Sequence, residues 1–152
     1  MQQLIRQSPT LSLALAMQAL QAALDKALST QVSISIAVVD AAGHMLHMAH
    51  MDGAPLLCRD IALNKARTAV SFGLPTNAWQ ERLERCSPSV RQGLPLQPGM
   101  ALFGGGEPFR HAGHTIGAIG ISGASEAVDG ECARAALERV EQLLGLVSPD
   151  QN

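Results

Sequence analysis

The stretch Phe103-Gly104-Gly105-Gly106-Glu107-Pro108-Phe109-Arg110-His111-Ala112-Gly113-His114-Thr115-Ile116-Gly117-Ala118-Ile119-Gly120-Ile121-Ser122-Gly123 decides the fold. Ala112-Gly113 reads as a two-residue hairpin turn, with Phe109–His111 entering it and Thr115–Ser122 leaving. The leaving strand carries small or β-branched residues on both pleat faces. Thr115, Gly117, Ile119 and Ile121 line one, and Ile116, Ala118, Gly120 and Ser122 the other. A strand apolar on both sides belongs at the centre of a sheet covered on both sides. Glycine inside a strand costs stability and marks the close approach of another backbone or a ligand. Seven of the chain's fourteen glycines fall in this stretch, so it forms a wall for a helix, a second subunit or a ligand.

Working outward from that wall, Val32–Asp40 alternates with period two. Val32, Ile34, Ile36 and Val38 form a large set suited to a core, and Ser33, Ser35, Ala37 and Val39 a small set. Asp40-Ala41-Ala42-Gly43 is a tight connection into a partner strand over His44–Met51. Met100–Phe103 reads as one more short strand. Helices are expected from Ser8-Pro9-Thr10 to about Ser29-Thr30, over Leu56–Phe72, from Thr76-Asn77 to about Arg85, and after Asp129 as a cap. Ser87–Gly99, rich in proline and glycine, reads as a loop. The order is α-β-β-α-α-β-β-β-α: an α+β fold with an antiparallel, about five-stranded sheet flanked by helices. The 152 residues suffice for a single domain with a proper core.

Composition narrows the function classes. Three Phe, one Trp and no Tyr supply no stacking platform for nucleic acid, and a formal charge of −2 offers no basic field for phosphates or acidic membranes. No apolar run is long enough to span a membrane. Cys58, Cys86 and Cys132 are an odd count with no Cys-x-x-Cys, the usage expected of buried thiols in a reducing compartment. The apolar run Leu11–Met17 mimics a leader, but its helical period continues through Leu28, so a cytoplasmic protein is expected.

His44, His47 and His50 are spaced by three on a strand, which puts His44 and His50 on one face with Leu46 and Met48 and His47 on the other with Met45 and Met51. A three-histidine metal site is thereby disfavoured. A single axial histidine for haem iron, His50 or His44, remains open, since one imidazole suffices. So does the plainer alternative of histidines on a half-exposed strand. Lys65 stands in an alanine-rich helical stripe with Ile61, Ala62, Ala66 and Ala69. An ammonium there must snorkel, find a carboxylate or meet a ligand anion. Asp52 and Glu107, each in a glycine-bearing turn, are its expected partners. The three form either a structural ion pair or a site for acid–base work. Gly104-Gly105-Gly106 can form an amide nest for an oxyanion, or simply a turn. Gly117-x-x-Gly120-x-x-Gly123 opens no helix and is no dinucleotide fingerprint.

Five motifs in register carry a family resemblance: Val38-Val39-Asp40-Ala41-Ala42-Gly43-His44, Met51-Asp52-Gly53-Ala54, Lys65-Ala66-Arg67-Thr68-Ala69, Gly104-Gly105-Gly106-Glu107-Pro108 and Gly117-Ala118-Ile119-Gly120-Ile121-Ser122-Gly123. The chain, from about residue 8 to 145, resembles the GlcG/HbpS/PduO C-terminal family, also called the haem-degrading domain family. The resemblance implies a profilin- or PAS-like sheet and assembly into a homo-oligomer. Some members bind haem, and some are credited with degrading it. The position before Met-Asp-Gly-Ala is commonly arginine in that family and is His50 here, and no histidine precedes His44. The leading expectation is a haem- or tetrapyrrole-binding accessory protein, with a strand histidine on iron and Lys65 pairing with a propionate. The alternative is a cofactor-free enzyme acting on a small oxyanionic catabolite. There Lys65, Asp52 and Glu107 would move protons and Gly104–Gly106 would hold the oxyanion.

Overall fold

The computed structural model describes residues 2–145. Helix α1 (Leu13–Thr30) leads into strands β1 (Ser35–Asp40) and β2 (Met45–His50), followed by α2 (Cys58–Phe72), α3 (Trp79–Glu84) and α4 (Pro88–Gly93). Strands β3 (Gly106–His111) and β4 (His114–Ser122) then form a hairpin, and α5 (Glu126–Leu143) closes the described chain. All pairings are antiparallel, in the order β2-β1-β4-β3. The strand read from the glycine-rich stretch is therefore central. Its turn has φ of 48° at Ala112 and 78° at Gly113, the left-handed pair a two-residue hairpin needs.

The α+β antiparallel architecture agrees with the sequence reading, and three local departures have physical causes. Met100–Phe103 enters no ladder. Thr68 Oγ1 on α2 donates to Gly99 O at 3.3 Å and accepts from Ala101 N at 3.1 Å, so the helix and not a strand satisfies that backbone. Within Ser87–Gly99, Ser87 Oγ accepts from Val90 N at 3.4 Å and starts α4, with Pro88 in its first turn. The first helix starts at Leu13, not near Thr10. The N–H of Leu11 donates to Ile116 O at 2.8 Å, extending the chain along β4, and Ser12 caps the helix.

The two sheet faces differ in kind. Ile34, Ile36, Val38, Phe109, Ile119 and Ile121 are fully buried against the alanine-rich faces of α1 and α5. Each large side chain there contributes about 1.5–3 kcal/mol of burial. The opposite face, with Val39 and Ala118, meets Ala66 and Ala69 of α2. At Gly120 a Cβ would lie 1.9 Å from Ala62 O and 2.6 Å from Ala66 N, so α2 rests directly on the sheet backbone. The small-residue face is filled by the chain's own helix, and not by a second subunit or ligand. This direct packing carries Lys65 to the end of β4.

Candidate functional site

Helix α2 turns Lys65 inward with Ala62, Ala66 and Ala69, and the side chain is 1% exposed. Its Nζ donates to Ile121 O at 2.8 Å and to Asp129 Oδ2 at 3.2 Å, and lies 4.8 Å from the centre of the Phe103 ring. Burial pushes the amine below the ordinary lysine range, partly opposed by Asp129 and more weakly by Glu126 and Cys58. Burial likewise pushes the Asp129 carboxyl up, against the pull of Lys65 and the Ala124 N–H, which donates to Oδ1 at 3.0 Å. Asp129 is not the cap of α5. Ser125 fills that role, accepting from Val128 N at 3.2 Å. A signal for the true partner is present in the sequence: Asp129 shares a helical stripe with Cys132, Ala133, Ala136 and Val140, all buried. An acid in one apolar stripe answers the base in another.

The partners expected from local turns lie elsewhere. Asp52 is exposed just past β2, in a groove with Leu24, Leu28 and His50. Glu107 is buried on β3, but its side chain faces away from α2. Gly106, one residue earlier, points at Thr76 and the Lys65 backbone, and Phe109, two residues later, belongs to the α1/α5 core. Burial pushes the Glu107 carboxyl up to about 7, with Arg134 pulling down and Glu141 pushing up from α5. Lys65, Asp52 and Glu107 thus form no cluster. The glycine run is also committed internally. Gly104 N donates to Glu126 Oε1 at 2.7 Å, Gly106 N donates to Thr76 Oγ1 at 2.8 Å, and Gly105 O accepts from Ile121 N at 2.8 Å. The chain's own Glu126 carboxylate occupies the position foreseen for an outside oxyanion.

The three strand histidines separate. His44 lies in the β1–β2 turn with its side chain 79% exposed, 3.4 Å from Asp40. His47 pairs with Val38 and His50 with Ser35, on opposite faces. A bulge between Val38 and Val39 breaks the alternation, so Met45 and Met48 share the face of His50, whereas strict period two puts Met45 with His47. His44 and His50 therefore sit at opposite ends of β2. The Nδ1 of His50 is hydrogen-bonded to the buried Ser35 Oγ, a partner that sequence reading did not assign. With Nδ1–H donated to that hydroxyl, Nε2 keeps its lone pair on the half-buried edge of the sheet. His50 also borders a groove of about 430 Å³ lined by Leu24, Leu28, Ala49, Met51 and Asp52, which opens on the α1 side of the sheet, across the pleat from the ring bonded to Ser35. Ser35 also pairs with Ser122. His50 and the end of β4 are thus two strand spacings apart, about 10 Å.

Among the described residues no group of three or more His, Cys, Asp or Glu is placed to hold a bare metal ion, and no helix is long and apolar enough to cross a membrane. A half-buried imidazole oriented through a hydrogen bond at one nitrogen fits an axial haem ligand. Lys65, closed off by Asp129, does not fit a propionate partner.

Known proteins share this fold. The chain is 35% identical over 138 residues to an uncharacterized 15.0 kDa protein in the dhaT-dhaS intergenic region of Citrobacter freundii, covering 91% of this chain and 97% of that one. The crystal structure of the Klebsiella pneumoniae protein ORFY matches with a TM-score of 0.84 and 32% identity, over 93% of this chain and 97% of that one. The structure of a PduOC–haem complex matches with a TM-score of 0.78 and 30% identity, over 86% and 94% of the two chains. Residues 11–138 match the family model described as haem degrading protein HbpS-like, and this chain belongs to that family.

Proposed function

We propose that this protein is a small haem- or tetrapyrrole-binding accessory protein in which His50 is the iron ligand. The observation that carries the reading is the Ser35–His50 hydrogen bond, which fixes the ring on the α2 side of the edge strand β2, where it is only half-buried. The PduOC–haem complex, in a chain of the same fold, supports it. When bound, haem would supply iron and its redox chemistry. The chain's own residues would hold the imidazole through Ser35, with Met45 and Met48 on the same face of β2 as an apolar surface beside it. That face of β2 is an exposed sheet edge, and a second copy of the chain covering it fits the homo-oligomer that the family resemblance suggests.

Titration with haemin tests the reading. A Soret band that saturates at a fixed stoichiometry is expected, lost in His50→Ala and retained in His44→Ala and His47→Ala. No saturable band, or equal spectra in all three variants, overturns it.

A further inference from the structure

A separate cavity lies at the opposite end of the sheet from His50, where the β3–β4 hairpin turns and His114 opens β4. The segment that precedes α1 is held beside it. Leu11 N donates to Ile116 O at 2.8 Å, and Ala41 N donates to Thr10 Oγ1 at 3.0 Å. Beyond that anchor, Gln3, Arg6, Gln7 and Ser8 line a cavity of about 270 Å³ together with His114. Each of the five side chains can donate a hydrogen bond, and none is acidic. Among the described residues, the ion pairs are His44–Asp40, Lys65–Asp129 and Arg85–Glu81, so Arg6 is in none of them. The segment also distributes its residues in an inverted way. Leu4 and Ile5 are 94% and 81% exposed, while the polar residues on either side of them border the cavity. Folding ordinarily turns apolar side chains in and leaves polar ones to water. A segment that does the reverse is shaped around something polar.

We infer that this cavity is a binding site for a small phosphoryl compound, inorganic phosphate or a phosphate monoester. The guanidinium of Arg6 is a planar fork of donors that can meet two oxygens of one anion at once. The carboxamides of Gln3 and Gln7, the Ser8 hydroxyl and a ring N–H of His114 supply donors from other directions. A phosphoryl group spreads its charge over three oxygens and accepts from several sides, whereas a carboxylate has only two oxygens to offer. Donors drawn from five side chains therefore suit the phosphoryl group. The lack of a carboxylate in the lining matters equally, since one would repel the anion and compete for Arg6. The chain as a whole carries a formal charge of −2. No long-range field draws in a polyanion, and recognition rests on short-range donors. A cavity of this size takes a phosphate with a few attached carbons.

The test is an NMR titration of the full chain with inorganic phosphate and with glycerol phosphate, with chloride holding the ionic strength constant. Saturable shifts are expected at Gln3, Arg6, Gln7, Ser8 and His114, with His44, His47 and His50 serving as unmoved internal controls. Arg6→Gln should weaken binding at least about tenfold, and His114→Ala at least about threefold. Both positions are exposed, so thermal midpoints should stay within about two degrees of wild type. Arg6→Lys, which keeps the charge and loses the fork, should recover only part of the affinity. Shifts that rise without saturating, or that chloride alone reproduces, would reflect screening and overturn the inference. Saturable binding left unchanged by Arg6→Gln would place the phosphate elsewhere and overturn it as well. Succinate bound more tightly than either phosphate would overturn the phosphoryl assignment. None of these outcomes depends on haem.

Discussion

At the scale of single residues, the chain places charge where water cannot reach it and compensates it locally. Lys65 and Asp129 are both buried and meet at 3.2 Å. Removing one partner strands the other, so Lys65→Met should destabilise the fold by roughly 3–5 kcal/mol in chemical denaturation. Adding Asp129→Asn, which keeps an acceptor for the Ala124 N–H, should restore a large part of that loss. Equal destabilisation in the single and double variants would show that the pair is not coupled. Glu107 behaves oppositely. Its carboxyl rises from the ordinary 4.5 to about 7 in the folded chain. The folded state therefore holds a proton that the unfolded state has released, and stability falls as pH rises between these values. Wild type should lose about 2–3 kcal/mol between pH 4.5 and 8 from this group. Glu107→Gln should flatten that part of the profile, and an unchanged pH dependence would refute the assignment.

At the scale of elements, the seating of α2 on β4 sets the positions of everything else. The contact has no room for a side chain at Gly120. Gly120→Val should lift the helix and cost at least about 4 kcal/mol, or prevent folding. Gly93, at the end of α4, meets nothing within 4 Å of a built Cβ and has no positive φ. Gly93→Ala should be neutral or stabilising by up to about 1 kcal/mol. Thermal midpoints of both variants check the contrast, and similar losses in the two would contradict the direct helix-on-sheet seating. The hairpin strand was legible because its turn and its two-sided apolar pattern are local features. Met100–Phe103 has the pattern of a strand but joins no ladder, because the groups that satisfy it are not local: they come from Thr68, more than thirty residues earlier.

At the scale of the whole molecule, stability is concentrated where three layers overlap. Strands β1 and β4 are buried between α1 and α5 on one side and α2 on the other, whereas α4 has no buried residue. Native-state hydrogen exchange should find the amides of α4 at least roughly a thousandfold faster than those of Ile119 and Ile121. Comparable protection would mean that α4 is held by contacts other than those described. The same layering locates both candidate sites. His50 and Lys65 lie at one end of the sheet, where β1 begins and β2 and β4 end, yet in different settings: a half-buried ring on an edge strand and a covered buried pair.

The sequence alone determined the antiparallel α+β class, the central glycine-bearing strand, the inward stripe of α2 and the motifs of the family. Each of these is written in residues close together in the chain, as a turn, a period of two or a period of 3.6. It also marked Lys65 as a charge in need of compensation. Only the tertiary structure decided what compensates it. Asp129 reaches Lys65 across sixty-four residues because α5 returns over the end of β4, while Asp52 and Glu107 are held apart by an edge strand and by the pleat of β3. Pairing across layers depends on where helices come to rest. That is set by the summed packing of alanines and glycines over the whole sheet, and no local pattern states it.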